Sequence, residues 1–185
     1  LGQAFAMALA KAGANIFIPS FVKDNGETKE MIEKQGVEVD FMQVGITAEG
    51  APQKIIAACC ERFGTVDILV NNAGGGGPKP FDMPMADFRR AYELNVFSFF
   101  HLSQLVAPEM EKNGGGVILT ITSMAAENKN INMTSYASSK AAASHLVRNM
   151  AFDLGEKNIR VNGIAPGAIL TDALKSVITP EIEQK

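Results

Sequence analysis

A tyrosine and a lysine four residues apart carry the strongest chemical signal in the sequence. Tyr136 and Lys140 lie in a run of helical composition, so we expect both side chains on one face of a helix, one turn apart. An ammonium group stabilises a neighbouring phenolate, and a phenolate can take a proton from an alcohol. An exposed tyrosine beside a solvated lysine has the same spacing, so the assignment needs support from other residues.

Two predicted strands are followed by residues suited to binding a ligand. Ser123 comes after the strand 116–122, and its hydroxyl can polarise a substrate carbonyl. The Asn-Asn-Ala-Gly sequence at 71–74 follows the strand 66–70, where small residues let a nucleotide approach the backbone. Parallel sheets bind ligands at the carboxyl ends of their strands, where both groups fall. A plain strand-to-helix turn also explains 71–74.

An asparagine interrupts an otherwise apolar helical run. Asn95 lies within the predicted helix 85–112, where asparagine is a poor helix former and needs a partner if it is buried. Two interpretations remain open at this point. Asn95 caps a kink in the helix, or it supports a water molecule near Lys140.

The remaining residues capable of chemistry do not form a pattern. Cys59 and Cys60 are adjacent, a spacing that fits neither a metal site nor a redox pair. His101 and His145 stand in helical stretches without a second ligand at useful spacing. The sequence therefore predicts no metal site.

Helices and strands alternate along the chain that carries these residues. Predicted helices cover 2–12, 27–35, 52–63, 85–112 and 134–155, and predicted strands cover 15–21, 37–44, 66–70, 116–122 and 159–164. Such alternation is typical of right-handed βαβ units. We therefore predict an α/β fold with a doubly wound, Rossmann-like parallel sheet in a single domain, 1–185.

Composition narrows the function classes. The 185 residues are 46% hydrophobic and 20% charged, with a net charge of −3 and no massed basic residues, so nucleic acid is not an expected partner. The apolar runs are shorter than the roughly 20 residues of a membrane span, and no export signal opens the chain. We expect a cytoplasmic protein with a small-molecule substrate.

These residues together resemble the short-chain dehydrogenase/reductase family in order and spacing. The matching pattern consists of 71–74, Asn95, Ser123, the Tyr-Ala-Ser-Ser-Lys sequence at 136–140 and the Pro-Gly pair at 166–167. The resemblance covers the whole chain. It implies an oxidoreductase that transfers a hydride between NAD and a secondary alcohol or ketone.

The resemblance also implies a role for each matching residue. Tyr136 is the acid/base, Lys140 favours its phenolate and binds the nicotinamide ribose, and Ser123 orients the substrate oxygen. Asn95 holds a water beside Lys140 and completes the catalytic group. The implied cofactor-binding residues are Gly2, Ile46, Asn72, Ala73, Gly74, Tyr136, Lys140, Ile169 and Thr171. The implied substrate-binding residues are Gly76, Ser123, Asn128 and Tyr136.

The two parts of the chain resemble different branches of the family. Residues 66–185 are similar to bacterial hydroxysteroid dehydrogenases, which implies a 7α-hydroxysteroid, a bile acid, as the substrate. Residues 1–65 are more similar to oxidoreductases related to gluconate dehydrogenases, so the chain reads as a mosaic of two relatives. The alternatives are a sugar-acid dehydrogenase and an inactive nucleotide-binding remnant.

Three departures from the family pattern affect cofactor binding. Gly2 alone represents the glycine-rich phosphate turn, so we expect the chain to lack the family's first strand as well as its C-terminal strand. Ser20 replaces the acidic residue expected to bind the adenosine ribose, and Gly45 replaces an aspartate. NADP is therefore not excluded as the cofactor. Full-length relatives imply a homo-oligomer, either a dimer or a tetramer.

Overall fold

The computed structural model describes residues 1–23 and 26–171. In these ranges the helices are α1 Gly2–Lys11, α2 Glu27–Glu33, α3 Ala51–Phe63, α4 Met85–Tyr92, α5 Ser98–Lys112 and α6 Thr134–Asp153. The strands are β1 Ile16–Ser20, β2 Val39–Gln43, β3 Ile68–Asn71, β4 Gly116–Ile121 and β5 Ile159–Ile164. The predicted alternation of helix and strand is confirmed.

All strand pairs of the described residues are parallel, as the alternation predicts. β1 pairs with β2, with Ile16 opposite Val39. The order of the other three strands is β3-β4-β5. Within the described ranges these are two separately hydrogen-bonded sheets, and β1 and β3 each pair on one side alone.

The two sheets share apolar packing. The larger core cluster lies between α3, α5 and the sheet β3-β4-β5, with Val106, Met110 and Ile118 fully buried. Phe17 of β1 and Met42 of β2 pack against this cluster. Side chains from the two-stranded sheet therefore reach the core of the three-stranded sheet, and burial of this apolar surface joins them.

The central strand β4 shows why the chain folds in this way. Its sequence Gly-Val-Ile-Leu-Thr-Ile is rich in β-branched residues, and Ile118 and Thr120 are both buried. Strands of parallel sheets are covered by helices on both faces, so near-continuous apolar runs are expected there. Helix α3 ends at Gly64, whose φ of 82° places it in the left-handed region that glycine adopts without strain.

The predicted helical run over 85–112 is confirmed, and its middle is a π-helical turn. Helices α4 and α5 are joined by a π-helical turn at Glu93–Phe97, which contains Asn95. π-helical turns widen the helix locally and occur frequently at functional sites. Of the helices in the ranges that the structure describes, none is long and apolar enough to span a membrane.

Candidate active site

Helix α6 places Tyr136 and Lys140 on one face, as their spacing predicts. The Lys140 Nζ lies 5.9 Å from the centroid of the Tyr136 ring. The lysine is 5% exposed, and its Nζ donates a hydrogen bond of 2.8 Å to the backbone oxygen of Ile121. Because Ile121 is the last residue of β4, this hydrogen bond joins the helix with the tyrosine to the carboxyl end of the central strand.

Burial changes the protonation of Lys140. Removal from water disfavours the charged ammonium and lowers the pKa of Lys140 from its ordinary value of 10.5 to about 8. The Ile121 oxygen accepts from the ammonium and offsets part of this cost. The cation is therefore held beside the Tyr136 ring in surroundings where a developing negative charge would stabilise it.

Ser123 lies two residues after the end of β4 and caps a short turn of 3₁₀ helix, Met124–Ala126. Its Oγ accepts a hydrogen bond of 3.1 Å from the Ala125 backbone N–H. A hydroxyl that accepts in this way keeps its own proton for a second partner. Helix α6 packs against the same turn. The role of Ser123 in orienting the substrate oxygen stays a prediction.

The glycine-rich turn after β3 packs against the residues of α6. A Cβ on Gly74 would lie 2.9 Å from the Lys140 Nζ and 3.0 Å from the Asn95 Oδ1. Gly76, with a φ of 132°, approaches Tyr136 so closely that a Cβ would lie 3.0 Å from the ring Cδ2. Larger residues would displace the tyrosine and the lysine. The structure thus brings Gly74, Gly76 and Asn95 together with the pair on α6.

Asn95 is buried, and its amide links the turn to α6. Its Oδ1 accepts from the Gly75 N–H at 2.9 Å, and its Nδ2 donates to the Gly75 oxygen at 2.8 Å. The Nδ2 also donates to the Ser139 Oγ at 3.0 Å. Asn95 thus lies within the π-helical turn, and both its capping of a kink and its support of a water stay predictions. The sequence did not reveal its partners, because serines and glycines are too common to signal such contacts.

The N-terminus of α1 lies against the residues that follow β3. A Cβ on Gly2 would lie 2.9 Å from the Asn72 Nδ2, so only glycine fits without displacing that amide. Free backbone N–H groups at a helix N-terminus favour anions such as phosphates. Ala73 and Gly74 are exposed beside this point. The open backbone surface and the glycine fit the predicted nucleotide site.

The other predicted binding residues follow β2, β4 and β5. Ile46 comes after β2 and packs, partly buried, against the larger core cluster. Asn128 is exposed, and its backbone N–H donates to the Met124 oxygen at 3.1 Å. Ile169 is 44% exposed, and its oxygen accepts from the Thr171 N–H at 2.7 Å. Their roles in binding stay predictions.

The loops after β4 and β5 are held together at this edge. The Met124 N–H donates to the Pro166 oxygen at 3.0 Å, and both the Thr122 N–H and hydroxyl donate to the Ile164 oxygen. Because β4 and β5 are parallel, their carboxyl ends lie at the same edge of the sheet. The loops that contain Ser123 and Ile169 therefore start side by side.

The cysteines and histidines lie outside this arrangement. Burial raises the pKa of the Cys59 thiol to about 11, which makes it a poor nucleophile. His101 contacts Gln53 through its Nε2 at 3.3 Å. Across the described ranges 1–23 and 26–171, no three His, Cys, Asp or Glu side chains gather as ligands for a metal.

Comparison with known proteins gives matches over the whole chain. A family model described as short chain dehydrogenase matches residues 1–181. The 7α-hydroxysteroid dehydrogenase of Escherichia coli (strain K12) is 72% identical over 186 residues, covering 100% of this chain and 73% of that protein. The uncharacterized oxidoreductase YgcW of the same organism is 58% identical over 187 residues, covering 100% of this chain and 72% of that protein.

A solved structure agrees with these matches. A 7α-hydroxysteroid dehydrogenase complexed with NADH and 7-oxo glycochenodeoxycholic acid is 69% identical, with a TM-score of 0.90, and covers 98% of this chain and 72% of its own. Both sequence relatives align with the whole chain, so neither match separates 1–65 from 66–185. Separate origins for these two parts stay a prediction. The Rossmann-like fold class is confirmed. The chain belongs to the short-chain dehydrogenase family.

Proposed function

We propose that this protein is an NAD-dependent dehydrogenase that oxidises the 7α-hydroxyl group of a bile acid, or reduces the matching ketone. The observation that carries the proposal is the buried Lys140 ammonium, which lies beside the Tyr136 ring and is held at the carboxyl end of β4. The 72% identity to the 7α-hydroxysteroid dehydrogenase of Escherichia coli supports the choice of substrate.

The proposed roles follow from the chemistry of each group. Tyr136 takes the proton of the substrate hydroxyl during oxidation and returns it during reduction. Lys140 stabilises the phenolate that remains, because it is a cation in a site of low water content. Ser123 has a hydroxyl proton that its hydrogen bond with Ala125 does not use, and this proton orients the substrate oxygen.

The proposed nucleotide site uses the surface between α1 and the turn after β3. Gly2, Asn72, Ala73 and Gly74 approach the phosphates and the adenosine side, while Lys140, Ile169 and Thr171 hold the nicotinamide side. Ile46 contacts the adenine. NAD supplies the hydride acceptor in this reaction. Ser20 lacks the negative charge that would repel a phosphate, so weak use of NADP is compatible with this site.

The substrate surface is proposed to include Gly76 and Asn128. Gly76 lies so near the Tyr136 ring that a Cβ on it would come within 3.0 Å of the ring Cδ2, and Asn128 is exposed on the loop after β4. A sugar acid is the alternative substrate, because residues 1–65 resemble gluconate-type enzymes. Loops after β3, β4 and β5 build the substrate site in this fold, and all of them lie within 66–185, which favours the steroid.

We also propose that the protein is cytoplasmic and forms a homo-oligomer, either a dimer or a tetramer. Large apolar side chains remain exposed on long helical segments, among them Phe97 at 53% and Phe152 at 88%. Exposed apolar surface of this kind is typical of protein interfaces. The cytoplasm supplies the NAD that the reaction consumes.

The test compares the two tyrosines of the chain. Tyr136→Phe removes the hydroxyl and is expected to lower kcat for oxidation of a 7α-hydroxy bile acid by about 10²- to 10⁴-fold, since that is the usual contribution of general acid-base catalysis. The Kd for NAD should stay within about twofold, because the ring remains. Turnover is followed by NADH absorbance, and binding by calorimetry.

Tyr92→Phe is the matched control. Tyr92 is the other tyrosine, and its ring stacks on Phe88 with 5.2 Å between the centroids. We expect kcat within about twofold of the unmodified protein, since its hydroxyl has no proposed part in proton transfer. Equal turnover by Tyr136→Phe and Tyr92→Phe would contradict the proposed function.

A further inference from the structure

Ser139 lies on α6 and is linked through Asn95 to the glycine-rich turn after β3. It precedes Lys140 on α6 and is fully buried, with 0% of its surface exposed. Its hydroxyl donates to the Tyr136 backbone oxygen at 2.7 Å and accepts from the Asn95 Nδ2 at 3.0 Å. A buried hydroxyl with two partners on different elements fixes both elements relative to each other.

The hydrogen bonds of Ser139 and Asn95 form a continuous chain. The single proton of the Ser139 hydroxyl is used by the Tyr136 oxygen, so the serine can only accept from Asn95. Asn95 uses its other amide proton and its Oδ1 on the two backbone groups of Gly75. A continuous path of hydrogen bonds therefore runs from the Gly75 peptide to the Tyr136 peptide.

We infer that Ser139 is a positioning residue for Tyr136 in the dehydrogenase reaction, which rests on the function proposed above. Ser139 holds the backbone of Tyr136 at a fixed place relative to the turn 74–76, and Gly76 of that turn lies so near the Tyr136 ring that a Cβ on it would come within 3.0 Å of the ring Cδ2. Proton transfer depends on the position of the tyrosine hydroxyl to within a fraction of an ångström. Loss of the serine hydroxyl releases one side of this arrangement and leaves an Asn95 N–H without its acceptor.

The neighbouring Ser138 offers a matched control. Its hydroxyl also donates to the helix backbone, to the Thr134 oxygen at 2.6 Å and the Ser135 oxygen at 3.3 Å. Ser138 is only partly buried, and its hydrogen bonds to Thr134 and Ser135 both lie within α6. Ser138→Ala and Ser139→Ala remove the same hydroxyl oxygen from adjacent residues of α6. The difference between them is the hydrogen bond with Asn95, which Ser139→Ala removes.

The first readout is steady-state kinetics with NAD and a 7α-hydroxy bile acid. We expect Ser139→Ala to lower kcat about tenfold while KM stays within about twofold, because a misplaced tyrosine slows the proton transfer without weakening binding. Ser138→Ala should keep kcat within about twofold. A double variant with Asn95→Ala should lose little more than the single variants, because both break the same chain of hydrogen bonds.

The second readout does not need turnover. The chain has two tyrosines, so ¹³C labelling of the tyrosine Cζ alone gives one signal from Tyr136 and one from Tyr92. Ser139→Ala should shift the Tyr136 signal and leave the Tyr92 signal in place, whereas Ser138→Ala should shift neither. If the unmodified protein lacks dehydrogenase activity, the proposed function fails while this spectrum still tests Ser139.

Two results would overturn the inference. One is an unchanged Tyr136 signal in Ser139→Ala, and the other is a loss of kcat that Ser138→Ala reproduces. If Ser139→Ala does not fold, Ser139→Cys replaces it, because the thiol has similar volume and is a much weaker donor and acceptor. The same shift of the Tyr136 signal is then expected, and its absence overturns the inference.

Discussion

Lys140 combines a charge with nearly complete burial, and this combination has a measurable cost. In the unfolded chain a lysine has a pKa of 10.5, whereas burial lowers the pKa of Lys140 in the folded protein to about 8. Below pH 8 both states carry the proton, so folding bears the full cost of burying the charge, about 3 kcal/mol from the shift in pKa. Between pH 8 and 10.5 the folded state gives up its proton and this cost disappears.

Lys140→Met tests this cost because methionine has similar length and no charge. The variant loses the hydrogen bond to Ile121 at every pH, so the informative quantity is how its difference in unfolding free energy from the unmodified protein changes with pH. We expect the unmodified protein to gain about 3 kcal/mol relative to Lys140→Met as the pH rises from 7 to 10.5.

Urea denaturation at a series of pH values measures this change. Lys140→Arg keeps a charge over the whole range, because arginine stays protonated, and should not reproduce the gain in stability of the unmodified protein between pH 8 and 10.5. A difference between Lys140→Met and the unmodified protein that stays constant with pH would show that the Lys140 ammonium is not penalised by burial.

Residues of the site differ in how far the sequence predicts them. Tyr136 and Lys140 could be paired from their spacing alone, because a helix brings positions four apart onto one face. The contact of Ser139 with Asn95 could not be recognised, because Asn95 lies 44 positions earlier in the chain. Local periodicity carries no information about such a contact.

The contacts of Asn95 explain the π-helical turn that joins helices α4 and α5. The amide of Asn95 pairs with both backbone groups of Gly75, and the π-helical turn Glu93–Phe97 contains it. The predicted helical run 85–112 is confirmed, and its apolar periodicity did not indicate that 93–97 form a π-helical turn. Helix propensity of asparagine indicated a weak point, and the contact with Gly75 supplies the reason.

Asn95→Ala should destabilise the protein by about 2–3 kcal/mol. Two backbone groups of Gly75 and the Ser139 hydroxyl lose their partner, and each unsatisfied buried polar group costs about 1–3 kcal/mol, reduced here because Gly75 is only partly buried. The measurement is the urea midpoint at constant m value.

Asn113→Ala is the matched control for this element. Asn113 follows α5, is exposed, and its amide contacts Thr65 on the surface. We expect its loss of stability to stay below about 1 kcal/mol, the usual size of an exposed hydrogen bond. Equal losses in Asn95→Ala and Asn113→Ala would mean that the amide of Asn95 does not hold the turn.

For the whole molecule, the sequence predicted parallel strands but not how they are divided into sheets. The alternation of helix and strand indicates βαβ units, and β1-β2 and β3-β4-β5 are parallel accordingly. Which strands pair depends on backbone hydrogen bonds between distant segments, and hydrophobic periodicity does not specify them. Phe17 and Met42 join the two sheets by packing against the larger core cluster. In the sequence they look like any other apolar residues of a strand, so this contact could not be predicted.

The proposed function of the whole molecule requires two parts of the structure: the proposed nucleotide surface around Gly2, and Tyr136 with Lys140 on α6. The N-terminus of α1 lies against Asn72, and two residues later a Cβ on Gly74 would lie 2.9 Å from the Lys140 Nζ. A cofactor bound along this surface would extend from the helix N-terminus to the proposed proton donor. Such an arrangement accounts for one site that holds NAD and performs acid-base chemistry.

The most direct test of this account is the choice between a steroid and a sugar acid. The protein is supplied with NAD and either a 7α-hydroxy bile acid or gluconate, and NADH absorbance gives kcat/KM for each. We expect kcat/KM for the bile acid to exceed that for gluconate by about 10²-fold or more, because a site shaped for an apolar steroid leaves the hydroxyls of a sugar acid unpaired. Faster oxidation of gluconate, or no NADH from either compound, would contradict the account.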